Sequence, residues 1–423
     1  MSGRSKVVGA LACQVNSYLK SLDAIVVSCT ELTERDVKEA KSDPNDTKNA
    51  SLFEVEFNDT ILFPEGGGQP SDRGVIIEEG QEIPVLDIQR KHLAAIHRTT
   101  KELSPGTGVT LKLDWNRRFD HMQQHSGQHL ISAVLDNRNV PTLAWSLGAK
   151  FSYVEISRKL TDQEVEEVED ECNQIIRDGL DITVEIPTDN SVNTDKLPDD
   201  YDLQNGVLRV VHIGNIDANP CCGTHLRNTR EMNSIALLHQ VVIRGSNSRL
   251  YFLIGDRVRR YEKSLHSLTR TLNSNLSCQT EEIISKTSRL EQQYKESAKR
   301  EKFWMTELSR IDCTNLIEVA TKEGKALLYR SESQAADYLS ILAADLGKKS
   351  GSNNFDLILL ISGTPKNSGS IYIFGKRAAE VSVEIKKIAT NVKGGGKGQK
   401  WQGKVATWEK NEIEQLKDYF HKF

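Results

Sequence analysis

Residues 117–137 read RRFDHMQQHSGQHLISAVLDN, and this stretch divides the chain. Phe119, Met122, Leu130, Ile131 and Val134 recur at helical spacing, which predicts a helix from about residue 117. His125 and His129, four apart, would then stand one turn from each other on one face, close enough to hold one metal ion. His121 adds a third histidine to the stripe and leaves open which pair matters.

Before this helix the pattern is that of strands. DAIVVSCTEL (23–32), SLFEVEFNDTILF (51–63), RGVIIEEG (73–80) and GVTLKLDW (108–115) are β-rich runs broken by Asp, Asn, Gly and Pro, which predicts a small barrel or sandwich. The charged stretch 33–50 reads as a surface loop or short helix. After the helix, DQEVEEVEDECNQIIRDG (162–179) predicts a second one, with Val165, Val168, Cys172, Ile175 and Ile176 on one face and a solvated acidic face opposite. Strands return in DITVEIP (181–187), VLRVVHIG (207–214), SIALLHQVVIRG (234–245) and RLYFLIG (249–255).

Residues 258–310 are polar and nearly free of Gly and Pro. Leu265, Leu268, Leu272, Leu276, Ile283 and Leu290 form an imperfect heptad seam that slips after Leu272, as expected of a long helix or a helical hairpin. From 311 onward strand-like runs (KALLYRS, FDLILLIS, SIYIFG) alternate with helical ones. A basic, glycine-rich stretch, KGGGKGQKWQGK (393–404), precedes a polar terminal helix. The expectation is an α+β multidomain chain. A β-barrel-like domain spans 1–115, an α+β domain 116–257, a helical or coiled-coil spacer 258–310, and an α/β domain with the Gly-rich element 311–423.

The chain has 423 residues, 38% hydrophobic and 27% charged, as expected of a soluble protein of several domains. No stretch approaches the roughly 18 apolar residues of a membrane span, so no membrane partner is expected. VVGALAC (7–13) is short for a signal-peptide core and reads instead as a buried first strand. A net charge of −4 leaves any nucleic-acid contact to local basic patches. Seven scattered cysteines argue for a reducing compartment, and a cytoplasmic location is expected.

Two further motifs carry chemistry. After NIDANP comes Cys221-Cys222-Gly223-Thr224-His225, a tight turn offering a thiolate and an imidazole. Alone it fits a buried Cys beside a surface His equally well. Together with His125 and His129 it makes a nitrogen and sulfur donor set suited to Zn²⁺. The other motif is FPEGGGQPSDRG (63–74), whose three glycines allow either a hairpin turn or close passage of the backbone past a ligand. It has no P-loop or dinucleotide pattern.

In this order the three blocks resemble the free-standing alanyl-tRNA editing proteins, relatives of the editing half of alanyl-tRNA synthetase, and most closely the long eukaryotic type. The resemblance covers nearly the whole chain, including RLYFLIGDRVRRY (249–261) and the Gly-rich element. It implies a zinc-binding editing domain over 116–257 with His125, His129, Cys221 and His225 as ligands. Cys222 stands where the family often has Gly and ranks below Cys221. Nothing resembles an amino-acid-activating domain, so the implied reaction is hydrolysis alone, on mischarged tRNA(Ala): seryl-tRNA(Ala), with glycyl-tRNA(Ala) a further candidate. Ser126, where the family often has Thr, and then Thr224 are the candidate groups for meeting a serine hydroxyl. Gly66, Gly67, Gly68, Gln69 and Gly223 are candidates for substrate contact. Lys393, Lys397 and Lys400 are expected to meet tRNA phosphates, and Trp401 to stack on a base or to fill an interface. The leucine seam or the C-terminal domain would carry a homodimer. Four protein ligands are also the mark of a structural metal site, so a zinc-containing RNA- or protein-binding module without turnover is the alternative.

Overall fold

The computed structural model describes residues 5–33, 51–187, 206–332, 335–349 and 355–422. Apart from Thr33, the loop or short helix expected at 33–50 lies outside the described residues. The chain divides into two compact units, Met1–Thr269 and Arg270–Phe423.

The first unit opens with a closed barrel. Strands β1 (Ser21–Glu31), β2 (Phe53–Phe57), β3 (Gly74–Glu78), β4 (Gln81–Lys91), β5 (Ala94–Thr99) and β6 (Gly108–Leu113) run in the order β1-β2-β5-β4-β3-β6, and β6 pairs back to β1. Closure removes the exposed edges that a sandwich would keep. Register shifts in β1 between Val26 and Ser28, and against β4 between Val85 and Asp87, bend these two long strands around the barrel. Val26, Val55, Ile76, Ile88 and Leu111 fill the core. The segment 7–13, expected as a strand, is buried but not extended. It makes a turn and then the single helical turn α1 (Ala12–Val15), and Val8, Leu11 and Cys13 join the barrel core.

Next comes helix α2 (Trp115–Asp136), capped by the Asp114 carboxylate accepting from the Arg117 N–H. Helix α3 (Asp162–Asp178) begins with a Thr161–Glu164 capping box and ends at Gly179 in the left-handed conformation. Val168, Cys172 and Ile176 of its expected face are buried. Both helices pack on an antiparallel sheet of order β12-β13-β8-β7, made of β7 (Thr142–Leu147), β8 (Ser152–Ile156), β12 (Ile235–Val242) and β13 (Ser248–Ile254). A smaller sheet, order β11-β10-β9, contains β9 (Ile182–Glu185), β10 (Val210–Ile213) and β11 (Asp217–Pro220).

Helix α4 (Asp256–Leu276) and helix α5 (Ile283–Glu323) occupy the region expected to be a helical spacer. The second runs on to Glu323, because Cys313, Leu316 and Ala320 in its last turns are buried in the core of the second unit. That unit is a five-stranded sheet, order β14-β15-β16-β18-β17, with only β14 (Lys325–Arg330) and β15 (Leu357–Ser362) parallel. Helix α6 (Ala335–Lys349) and the end of α5 contribute to one core. Helices α7 (Ala378–Ile388) and α8 (Glu412–Lys422) contribute to another. The Gly-rich stretch forms the antiparallel pair β17 (Val392–Lys397) and β18 (Lys400–Val405), with β18 also pairing to β16 (Gly369–Phe374).

Candidate metal centre

Helix α2 turns an unusual set of side chains inward: His121, Gln124, His125, Ser126 and His129 are all buried. Buried polar groups are costly unless they are partnered, and most of this set is. His125 Nδ1 lies 2.8 Å from Gln69 Oε1, and His129 Nδ1 3.2 Å from the Asp217 carboxylate. The β10–β11 hairpin delivers the opposite wall. Arg209, buried just before β10, donates to the carbonyls of Gly223 at 2.9 Å and of Gln14 at 2.8 Å, clamping the Cys221–His225 turn against the start of the chain. A Cβ at Gly223 would collide with the His125 ring, so only glycine lets this turn close. His225 Nδ1 lies 3.2 Å from Ser126 Oγ, which also accepts from the Leu226 N–H at 3.1 Å.

The opposite nitrogens converge. His125 Nε2 is 3.3 Å and His225 Nε2 3.2 Å from Cys221 Sγ. The ligating atoms of His125, His129, Cys221 and His225 lie within 4.8 Å of one another. Among the described residues this is the one group of three or more His, Cys, Asp or Glu side chains placed to hold a metal ion. Three imidazoles and a thiolate suit a borderline-soft divalent ion. Each histidine has a partner on Nδ1, and His125 and His225 turn Nε2 to the centre, the usual arrangement around a metal-ligating imidazole. Cys222 and His121 stand outside the group. Burial pushes His121 down to about 3, which keeps it neutral.

Cys221, His129 and His225 titrate away from their ordinary values. Burial alone would raise the Cys221 thiol, but His125, His225 and His129 hold it well below its ordinary value. Burial also opposes charge on His129, yet Asp217 and Cys221 push it up to about 9, while burial takes His225 down to about 3.

The glycine loop is part of this architecture. Gly67 and Gly68 have positive φ, and the Gly66 and Gln69 backbones exchange hydrogen bonds at 3.1 Å. The loop is a tight turn that drives Gln69 inward. A Cβ at Gly68 would run into the Trp145 ring, whose centroid is 5.1 Å from that of His125. Gly67 and Gly68 are exposed at the surface, whereas Gln69 is fully buried. Ser126 and Thr224, expected to meet substrate, are fully buried too. Their hydroxyls face His225 and Gln69 Nε2 respectively.

Several residues of the site were not singled out from sequence. Asp72, at the end of the glycine motif, forms a fully buried ion pair with Arg118 of α2. Arg118 also donates to the Ser17 carbonyl at 2.9 Å and the Ile61 carbonyl at 2.6 Å, pinning the helix to the barrel. Asp72 and Asp217 lie inside stretches quoted above, and a carboxylate beside a metal motif is the signal that could have marked Asp217. Arg209 and Trp145 carry no local signal.

In the second unit, register decides the basic stretch. Lys393 pairs with Lys404, Gly395 with Gln402, and Lys397 with Lys400, so these side chains share one face. Gly396 pairs with Trp401 and Gly394 with Gly403, on the other face. The four lysines are exposed. Trp401 is 6% exposed and packs in a hydrophobic core, so its ring does not face outward for stacking on a base. A cavity of about 760 Å³ is lined by Gly395, Lys397, Lys400 and Gln402 of this face and by Ser340 and Gly347 of α6, and Lys400 reaches across to donate to the Gly347 carbonyl at 2.7 Å.

Comparison with known proteins agrees with this arrangement. Residues 208–251, which hold Cys221 and His225, match the threonyl and alanyl tRNA synthetase second additional domain. Residues 20–117, the barrel, match tRNA synthetases class II (A). The chain is 39% identical to the alaX protein of Saccharomyces cerevisiae, whose name gives alanyl-tRNA editing as a provisional assignment, over 97% of this chain and 96% of that protein. It is 34% identical to alanyl-tRNA editing protein Aarsd1 of Mus musculus, over 97% and 98%. It is also 34% identical to alanyl-tRNA editing protein AlaX-L of Pyrococcus horikoshii, over 52% of each.

Barrel, buried donor cluster and domain matches together define an enzyme of the editing-domain class related to the aminoacyl-tRNA synthetases. Within that class, the chain belongs to the alanyl-tRNA editing protein family.

Proposed function

We propose that this hydrolase deacylates seryl-tRNA(Ala), and glycyl-tRNA(Ala) as a second substrate, in trans, with Zn²⁺ held by His125, His129, Cys221 and His225. The observation that carries the metal is the convergence of four nitrogen and sulfur donors within 4.8 Å, each histidine backed by its own partner. The tRNA substrate rests on the family. When bound, zinc supplies Lewis-acid polarisation of an ester carbonyl. The protein's own residues do the rest. Gln69, Asp217 and Ser126 orient the three imidazoles, Arg209 fixes the Cys221 turn, and Trp145 walls the site beside His125.

Serine exceeds alanine by one hydroxyl, and a site that pairs that hydroxyl can reject the analogue lacking it by roughly 10⁴–10⁵. The buried hydroxyls of Ser126 and Thr224 have either this role or that of holding ligands. Their geometry favours holding. Ser126→Ala and Thr224→Val separate the two: holding predicts weaker Zn²⁺ binding, whereas recognition predicts normal zinc and lost preference for serine over alanine.

The lysine face of Lys393, Lys397, Lys400 and Lys404 supports contact with tRNA phosphates, with glycines leaving the backbone open to approach. The outward Leu265, Leu268, Leu272 and Leu290 support self-association through the helical segment, which light scattering of the purified chain tests. Seven cysteines scattered along the chain fit the reducing cytoplasm. The alternative, a binding module with a structural metal, has one observation in its favour: four protein ligands complete a tetrahedron. Turnover on seryl-tRNA(Ala) decides between them. Serine release that a chelator abolishes supports the hydrolase, and a zinc-loaded chain without release supports the binding module.

A further inference from the structure

We infer that Gln69, carried into the metal centre by the barrel's glycine loop, is a positioning residue that fixes the tautomer of His125 and so leaves its Nε2 as the ligand. The inference rests on the reading of the four-residue cluster as a zinc site.

A backbone N–H can only donate, and the Thr224 N–H points at one side-chain oxygen or nitrogen of Gln69 at 3.0 Å. That atom must be the amide oxygen, Oε1. The same oxygen lies 2.8 Å from His125 Nδ1. An amide oxygen only accepts, so Nδ1 carries the hydrogen and Nε2 of the neutral ring carries the lone pair. Nε2 is the atom that faces Cys221 Sγ at 3.3 Å. The other end of the amide, Nε2 of Gln69, donates to Thr224 Oγ1 at 2.8 Å, so the amide cannot rotate without breaking three bonds at once.

Two further features hold the amide there. Gln69 is fully buried, so water does not compete for these bonds. A side chain at Gly223 would crowd both the His125 ring and Gln69 Oε1, so this glycine makes room for the contact. The barrel is thus a working part of the metal centre: it supplies the group that sets the state of one ligand.

The test uses the full-length chain with Zn²⁺ as probe, its affinity measured by competition with a chromophoric chelator, and the melting temperature of the metal-free protein measured alongside. Removing the partner of a ligating histidine typically weakens metal binding by about 10–100-fold. Gln69→Leu is expected to fall in that range with little change in metal-free melting. Gln69→Glu is expected to recover most of the affinity, because a carboxylate also accepts from both Nδ1–H and the Thr224 N–H. Gln69→Asn, which keeps the amide but withdraws it by one methylene, should resemble Gln69→Leu and serves if the leucine variant does not fold. Wild-type affinity in Gln69→Leu or Gln69→Asn overturns the inference. So does an equal loss in Gln69→Glu and Gln69→Asn, which would make Gln69 a packing residue. A wild-type chain that binds no Zn²⁺ instead overturns the zinc reading, and this inference with it.

Discussion

The buried His/Cys cluster and the lysine hairpin handle charge in opposite ways. At the cluster His125, His129 and His225 are buried, and each has a named partner on Nδ1. At the hairpin four exposed lysines share one face of β17 and β18, and of these Lys400 donates to the Gly347 carbonyl at 2.7 Å. A buried network is worth little in parts, because removing one member strands its partner in a medium that cannot solvate it. Exposed cations act separately, are screened by salt, and each contributes modestly. Substitutions should therefore be severe and all-or-none at the first region, graded and salt-sensitive at the second.

The largest effect is expected from the ligands. His125→Ala and Cys221→Ala should each lose bound zinc and turnover together, measured by metal analysis and by serine release. Cys222→Ala should lose neither, and loss of metal in that variant would break the assignment of Cys221 as the ligand.

Next comes the ion pair beneath the site. Arg118→Ala leaves the Asp72 carboxylate buried without its cation, which should destabilise the first unit by about 3–5 kcal/mol in denaturant unfolding. A cost below about 1 kcal/mol would mean that the pair is hydrated and does not lock helix to barrel.

A smaller effect is expected in acid. His97 is fully buried in the barrel, and burial takes it down to about 4. Its folded value lies below its unfolded value, so the unfolded chain takes up the proton first. Stability is whole above about pH 6.5 and declines as pH falls from there to about 4, by on the order of 3 kcal/mol. His121, held down to about 3, adds a loss of the same sign that also begins near pH 6.5 and continues to about 3. His97→Gln should flatten this part of the pH profile relative to wild type, and an unchanged slope would remove His97 as its source.

The smallest and most graded effects belong to the hairpin. Each of Lys393→Ala, Lys397→Ala, Lys400→Ala and Lys404→Ala should weaken tRNA binding modestly. Each should lower the dependence of log affinity on log salt by up to about one. A single lysine that abolishes binding at all salt concentrations would contradict the comparison, because it would behave as the cluster does.

The same contrast explains what could be read from the sequence. The four members of the cluster were legible because each pair is local: two turns of chain, four residues apart, with residue types that could hold a single ion. The groups that hold them were not. Gln69 meets Thr224 across 155 positions, Asp217 meets His129 across 88, and Asp72 meets Arg118 across 46. No local pattern marks such meetings. Ser126 and Thr224 were read as groups free to meet substrate because sequence does not show that their hydroxyls are already engaged. Trp401 was read two ways, as stacking on a base or filling an interface, and its place in the core of the second unit was hidden for a different reason. The glycines hide a strand, and without the two-residue alternation of β18 its neighbours Lys400 and Gln402 cannot be assigned to the opposite face. The barrel was legible as a class from its strand runs, but its closure depends on pairing β1 with β6 across some ninety residues. The opening apolar run was expected as a strand and is a turn, because it serves the barrel core with three side chains and no ladder.

The central claim, that the cluster is the centre of a hydrolase selective for the wrong amino acid, is tested most directly by one measurement. Purified full-length protein is incubated with seryl-tRNA(Ala) and, separately, alanyl-tRNA(Ala), with and without a zinc chelator, and release of the amino acid is followed. The account predicts rapid release of serine, abolished by the chelator, and little release of alanine. A chain that carries one zinc and releases neither amino acid would contradict it.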